Sequence, residues 1–149
     1  EYAEKARAVS GRVYDVAEFL VKFGYREPER NVEARVTYHD SCHMVREQKV
    51  AAQPRQILKS IPGVDYVEMK GADVCCGGGG SFSFTHPELG RKVGATKAAN
   101  IRDTEATVVA TGCPSCSMQI RQSLQRAKVD ADMRHPVELL ARSYGLIGE

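Results

Sequence analysis

Two adjacent cysteines followed by four glycines place the strongest constraint on this chain of 149 residues. The run is Cys75-Cys76-Gly77-Gly78-Gly79-Gly80. Glycine has no side chain to pack and loses much backbone entropy on ordering, so consecutive glycines do not serve a core. They suit a backbone that bends sharply and comes close to a bulky group. Cys42, Cys113 and Cys116 bring the number of cysteines to five.

Composition narrows the class of protein. The chain is 42% hydrophobic and 27% charged, which is ordinary for one globular domain. Its net charge of +2 favours neither nucleic acid nor a membrane surface as a partner. No stretch reaches the roughly 18 apolar residues of a membrane span, and the first residues show no signal peptide. We therefore expect a cytoplasmic protein that meets a membrane only through partners. The absence of an initiator Met suggests a piece of a longer chain.

The apolar pattern alternates between strands and helices, which predicts an α/β fold. Such alternation gives a mainly parallel, Rossmann-like sheet with helices on both faces. We expect the helix after the glycines to turn Leu89, Val93 and Ile101 inward. The predicted strands are 33–39, 64–69, 106–111 and 131–134, and the predicted helices are 1–24, 53–60, 85–103, 113–127 and 136–144.

All five cysteines lie on loops at the C-terminal ends of predicted strands. Cys42 follows the first strand, Cys75 and Cys76 follow the second, and Cys113 and Cys116 follow the third. Because these ends share one edge of a parallel sheet, where such folds place their sites, we expect the thiols to converge. A helix N-terminus at the Cys-x-x-Cys pair would stabilise thiolates.

Thiol number favours an iron–sulfur cluster over the alternatives. One zinc ion takes four ligands, so a zinc site would leave one cysteine spare. An odd count does not fit a disulfide scaffold, and separate unligated thiols remain an alternative. Cys113-Pro114-Ser115-Cys116 also has the form of a thioredoxin active site, but only 33 residues follow it. The glycine run lacks the Gly-Lys-Ser/Thr ending of a phosphate-binding loop.

The spacing of the cysteines resembles one known family. There are 32 residues between Cys42 and Cys75, and 36 between Cys76 and Cys113. With the motifs His39-Asp40-Ser41-Cys42-His43 and Thr111-Gly112-Cys113-Pro114-Ser115-Cys116, this is similar to the CCG domain, the cysteine-rich domain found in heterodisulfide reductase. The domain recurs in iron–sulfur subunits of glycolate oxidase and lactate-utilisation complexes. The likeness runs from about Val36 to Tyr144.

The resemblance implies a cofactor and a set of ligands. Cys42, Cys75, Cys76, Cys113 and Cys116 would bind a [4Fe–4S] cluster of non-cubane type, with Gly77, Gly78 and Gly79 lining it. An isolated domain can also be empty of metal. Family members normally carry two such domains, so we expect residues 31–149 to form the C-terminal copy and residues 1–30 a linker helix.

The resemblance also implies a role. We expect an electron-transfer domain of an oxidoreductase, inactive alone. Its partners would be other domains of the same chain and a flavin-containing dehydrogenase subunit that oxidises a 2-hydroxy acid such as glycolate or lactate. Disulfide cleavage at the cluster, as in heterodisulfide reductase, is the second version of this role. A zinc-binding assembly module and a thiol–disulfide oxidoreductase using Cys113 and Cys116 are the alternatives.

Other polar side chains have simpler interpretations. The two histidines beside Cys42 could be ligands or proton carriers, but hydrogen bonds to loop backbone are the favoured interpretation. The two histidines before prolines are predicted helix caps, and the two arginines are predicted surface residues. The residues concerned are His39, His43, His86, His135, Arg46 and Arg55.

Overall fold

Four short parallel strands form the sheet of this protein, whose computed structural model describes residues 2–148. The strands are β1 (Ala34–Tyr38), β2 (Val64–Tyr66), β3 (Val108–Ala110) and β4 (Asp132–Arg134). Their order across the sheet is β2-β1-β3-β4, with every pairing parallel. The predicted α/β class with a parallel sheet is confirmed.

Helices connect the strands and cover the sheet. A π-helical turn, Met44–Gln48, follows β1, and a short helix follows the glycine run. Neither is predicted from the sequence, because each is too brief to show a helical apolar period. The α-helices are α1 (Tyr2–Ser10), α2 (Val16–Phe23), α3 (Ala52–Ser60), α4 (Phe82–Thr85), α5 (Pro87–Arg102), α6 (Pro114–Ala127) and α7 (Pro136–Ser143).

The sheet separates two hydrophobic cores. Side chains alternate along a strand, so Val36 and Tyr38 point to one face while Val109 points to the other. On the first face they pack with Ala17 of α2, residues of α3 and residues of α7. The second face packs against α5 and α6. The predicted placement of helices on both faces is confirmed.

The single helix predicted over residues 1–24 is wrong where the structure describes it. Residues 11–15 interrupt it, and the Asp15 carboxylate accepts a hydrogen bond of 2.8 Å from the backbone N–H of Ala17, which caps a new helix. The first helix does not continue through this segment because Asp15 favours the capped start of a new helix. The first piece, α1, buries none of its residues, whereas α2 contributes Ala17 to the core. Glu1 lies outside the described residues.

Small residues set the packing of α5 on α6. Leu89, predicted to face inward, is 50% exposed, and the buried face carries Gly90, Gly94 and Ala98 together with Ile101. A Cβ atom at Gly94 would lie 2.3 Å from Ser123 Oγ of α6. The two helices therefore approach more closely than larger side chains would allow. A periodicity search based on large apolar residues misses a face built from glycine and alanine.

Proline opens three of the helices, as the sequence predicts. His135 caps α7 as expected, since its ring accepts a hydrogen bond of 3.2 Å from the Val137 N–H. His86 does not cap α5 through its side chain, and its ring stacks on Phe82 at 5.1 Å instead. Within residues 2–148, no helix has both the length and the apolar character needed to cross a membrane.

Candidate metal centre

Three loops that carry the cysteines meet at one edge of the sheet. Strand β1 lies between β2 and β3, so the three strands that lead into these loops are neighbours. Past the strand ends, the N–H of His39 donates to Ala110 O at 2.9 Å, and the N–H of Asp40 donates to Ala72 O at 3.1 Å. These backbone bonds tie the loop after β1 to its neighbours on both sides.

The centre of this edge is a group of three side chains. Ligand atoms of His39, Cys76 and Cys116 all lie within 4.8 Å of one another. His39 and Cys76 are each 1% exposed, and Cys116 is partly buried. Cys113 stands at the N-cap of α6, three residues before Cys116. We refer to His39, Cys76 and Cys116 as the inner group.

The two cysteines of the inner group shift each other's pKa in opposite directions. The hydrogen bond from Cys116 lowers the pKa of Cys76 well below its ordinary value, and hydrogen bonds from His39 and the backbone of Gly78 act in the same direction. The same contact with Cys76 raises the pKa of Cys116. A lowered pKa favours the thiolate, which is the form of cysteine that binds metal.

The glycine run places its backbone against both the thiols and the helices. The N–H of Gly77 lies 3.3 Å from Cys75 Sγ, to which it donates. Gly77 has a φ of +87°, and a Cβ there would lie 2.5 Å from Gly90 O of α5. Gly78 lies against Gln119 of α6. Gly77 and Gly78 therefore form a thin wedge between two helices, and the contact at Gly77 requires a residue without a side chain.

The remaining two cysteines lie toward solvent. Cys42 and Cys75 are exposed and stand outside the inner group. Both belong to the same sheet edge, because the bond between Asp40 and Ala72 joins their loops close to each cysteine. Five thiols thus divide into a buried part and an exposed part. The structure does not bring all five sulfurs into contact.

Comparison with known proteins identifies the chain's family. A family model described as the cysteine-rich domain CCG matches residues 36–121, which is more than half of the chain. The chain belongs to the CCG family. The matched segment of this CCG domain runs from β1 into α6 and includes all five cysteines.

Several curated relatives share the CCG domain. One subunit of the fumarate reductase (CoM/CoB) of Methanothermobacter marburgensis is 40% identical over 89% of this chain and 27% of its own length. The probable glycolate oxidase iron-sulfur subunit of Bacillus subtilis is 32% identical, over 97% of this chain and 34% of its own. One subunit of the dihydromethanophenazine:CoB–CoM heterodisulfide reductase of Methanosarcina acetivorans is 33% identical, over 90% of this chain and 34% of its own length. The chain thus spans about a third or less of these relatives.

His39 has a larger part in this CCG domain than the sequence suggests. Its backbone N–H does bind loop backbone, as expected, but its ring lies in the inner group. The ring atom Nδ1 is buried and has no hydrogen-bond partner among residues 2–148. Its position at the end of a central parallel strand was the available signal. His43, by contrast, is exposed.

Arg55 is not the solvated surface residue that the sequence suggests. Its guanidinium donates to both carboxylate oxygens of Asp40, at 2.8 and 2.7 Å, and to both of Glu68, at 2.8 and 2.7 Å. The Asp40 side chain is only 6% exposed. The hydrogen bond from Arg55 lowers the pKa of Glu68. Arg46 is exposed, as predicted. The Arg55 ion pairs therefore anchor the loop that leads to Cys42.

Proposed function

We propose that this CCG domain binds a [4Fe–4S] cluster through Cys42, Cys75, Cys76, Cys113 and Cys116 and serves as an electron-transfer domain of an oxidoreductase. The observation that carries the proposal is the inner group, in which ligand atoms of two cysteines and one histidine lie within 4.8 Å of one another at a largely buried position. Thiolates are the ligands that iron–sulfur clusters use. When bound, the cluster supplies reversible electron storage.

The residues of this chain have distinct tasks in that role. Cys76 provides a buried ligand whose pKa is lowered by the hydrogen bond from Cys116, and Cys113 and Cys116 stand at the N-terminal end of α6, whose dipole favours negative charge. The N–H groups of Gly77 and Gly78 are directed to cysteine sulfur, where they stabilise negative charge, and we expect Gly79 to line the cluster beside them. Exposed Cys42 and Cys75 would complete the ligand set from the solvent side.

The relatives support a place within a larger complex. Their names describe subunits of a fumarate reductase, a glycolate oxidase and a heterodisulfide reductase. We infer that this domain works with other domains of its own chain and with a dehydrogenase subunit. A flavin-containing partner that oxidises a 2-hydroxy acid is our first choice, and a disulfide substrate is the second. Five free cysteines favour the reducing cytoplasm.

A zinc site is the second candidate function. The inner group already offers two sulfurs and one histidine nitrogen, and Cys113 stands at the N-cap of the helix that carries Cys116. Those four donors match a tetrahedral Cys3His zinc site, which would stabilise the fold without electron transfer. In that case Cys42 and Cys75 would have no ligand role.

Metal loading of single variants separates the two functions. The chain would be reconstituted anaerobically with iron and sulfide, and in parallel with zinc, and its metal content and EPR spectrum measured. For a [4Fe–4S] cluster we expect about four irons per chain. Cys42→Ser and Cys75→Ser should lose most of the iron, although both side chains are exposed. Ser115→Ala, an exposed position between Cys113 and Cys116, is the control and should load fully.

The zinc function predicts the opposite ranking. His39→Ala would abolish metal binding, while Cys42→Ser and Cys75→Ser would keep one zinc per chain. Full iron uptake by both of these cysteine variants would refute the five-cysteine ligand set. A wild-type chain that takes up no iron under any of these conditions would refute the cluster itself.

A further inference from the structure

A lysine is buried next to the candidate metal centre. Lys97 lies in the middle of α5 and is 2% exposed. Its side chain reaches the loop that precedes Cys75, where Nζ donates to Gly71 O at 2.6 Å and to Ala72 O at 3.4 Å. Lysine is almost never fully buried without a partner, since removing an ammonium group from water is costly.

The described residues give Lys97 no carboxylate partner. No carboxylate of residues 2–148 lies within 4 Å of its Nζ in an ion pair. Asp40 does not form an ion pair with Lys97, and both of its carboxylate oxygens accept hydrogen bonds from Arg55. The two carbonyls that its Nζ contacts belong to Gly71 and Ala72, within five residues of Cys75 and Cys76. The ammonium group is therefore held against the loop that carries the cysteine pair.

Holding the loop does not require the lysine. Gly71 O also accepts the N–H of Val74 at 3.1 Å, and Ala72 O also accepts the N–H of Asp40 at 3.1 Å. Both carbonyls would keep a backbone donor if the lysine were replaced. An apolar residue of similar size would fill the same space without the desolvation cost. A structural role alone thus leaves the buried charge unexplained.

We propose that Lys97 is a positioning residue whose fixed positive charge compensates the negative charge of the thiolate-ligated metal centre and raises its reduction potential. This inference rests on the proposed iron–sulfur function. Reduction adds one negative charge to the centre, and a buried cation nearby favours that state because little water screens the interaction. Net charge around a cluster is one of the factors that set its potential.

Two neutral variants separate the charge from the hydrogen bonds. Lys97→Met removes both, whereas Lys97→Gln removes the charge but keeps an amide that can donate to the same carbonyls. Lys92→Met, an exposed position on the same helix, is the matched control. Each chain would be reconstituted with iron and sulfide. The midpoint potential would be measured by EPR-monitored redox titration, the rate of iron loss with a chelator, and the melting temperature of the metal-free chain.

Both neutral variants should have a lower midpoint potential than the wild-type chain and should lose iron to the chelator about tenfold faster. Their metal-free melting temperatures should match the wild type or exceed it, and Lys92→Met should match it in every measurement. Failure of both variants to retain iron, with unchanged melting temperatures, is the extreme form of the same result.

Other outcomes would overturn the inference. If Lys97→Met melts lower without metal while its loaded form keeps the wild-type potential, the lysine is structural. If Lys97→Gln behaves as the wild type and only Lys97→Met differs, hydrogen bonds matter and charge does not. A wild-type chain that binds no iron would instead refute the proposed function, which distinguishes the two failures.

Discussion

Replacing Arg55 with methionine should cost this protein a large part of its stability. Arg55 supplies the two side-chain hydrogen bonds that the structure shows for the Asp40 carboxylate, and that side chain is 6% exposed. Removing one partner of such a pair leaves an uncompensated buried charge, which typically costs about 3–5 kcal/mol. Arg55 itself is 18% exposed, so some water can enter. We therefore expect a loss of about 3 kcal/mol in the free energy of unfolding.

A loss of that size is easily measured. For a domain of this length it lowers the melting temperature by about 10 °C, and urea unfolding gives the free energy directly. Arg134→Met is the control, because it breaks a pair with Asp132, whose side chain is 61% exposed, and such pairs contribute about 1 kcal/mol or less. Asp40→Asn in the Arg55→Met background should recover part of the loss. Equal, small effects of both arginine variants would refute the reasoning.

Two further predictions concern the glycine run and acid pH. Gly77→Ala should lower the melting temperature and reduce iron uptake, because its Cβ would lie 2.5 Å from Gly90 O. Gly80→Ala is the control: Gly80 also has a positive φ, but a Cβ there would have no neighbour within 4 Å, so its melting temperature and iron uptake should fall much less. Arg55 lowers the pKa of Glu68, so this carboxylate stabilises the fold above about pH 4.3, its unfolded value, and the contribution disappears as pH falls through the lower folded pKa. Glu68→Gln should flatten the melting-temperature profile below about pH 5, and a profile as steep as the wild type would contradict this.

Sequence reasoning is most successful where one face of an element is strongly apolar. The buried trio Ile57, Leu58 and Ile61 identifies α3, and Ile120 with Leu124 identifies α6. Parallel topology follows from the alternation of strands and helices, and the sheet edge of the cysteines follows from that topology. The family follows from the spacing of the cysteines together with the motifs around them.

Features decided by polar or small residues are harder to predict. The Asp15 cap splits the first helix although the apolar pattern runs through it. Arg55 pairs with Asp40, which lies 15 positions away in the sequence. The His39 ring lies beside Cys76 and Cys116, which belong to two other loops. Lys97 is buried on a helix face made mostly of glycine and alanine, and a search for large apolar residues does not detect such a face. Each of these depends on a contact between distant segments, which a local pattern does not contain.

The charged groups at the sheet edge form a consistent electrostatic design. Arg55 pairs with both Asp40 and Glu68, so one guanidinium offsets only part of the charge of two carboxylates. Lys97 adds a buried positive charge against the loop that precedes Cys75. Breaking the Arg55 pair would release the Asp40 charge toward the same centre, where it would offset the lysine. Loss of Arg55 should therefore weaken the metal centre as well as the fold, because one ion pair fixes both the loop and the local charge.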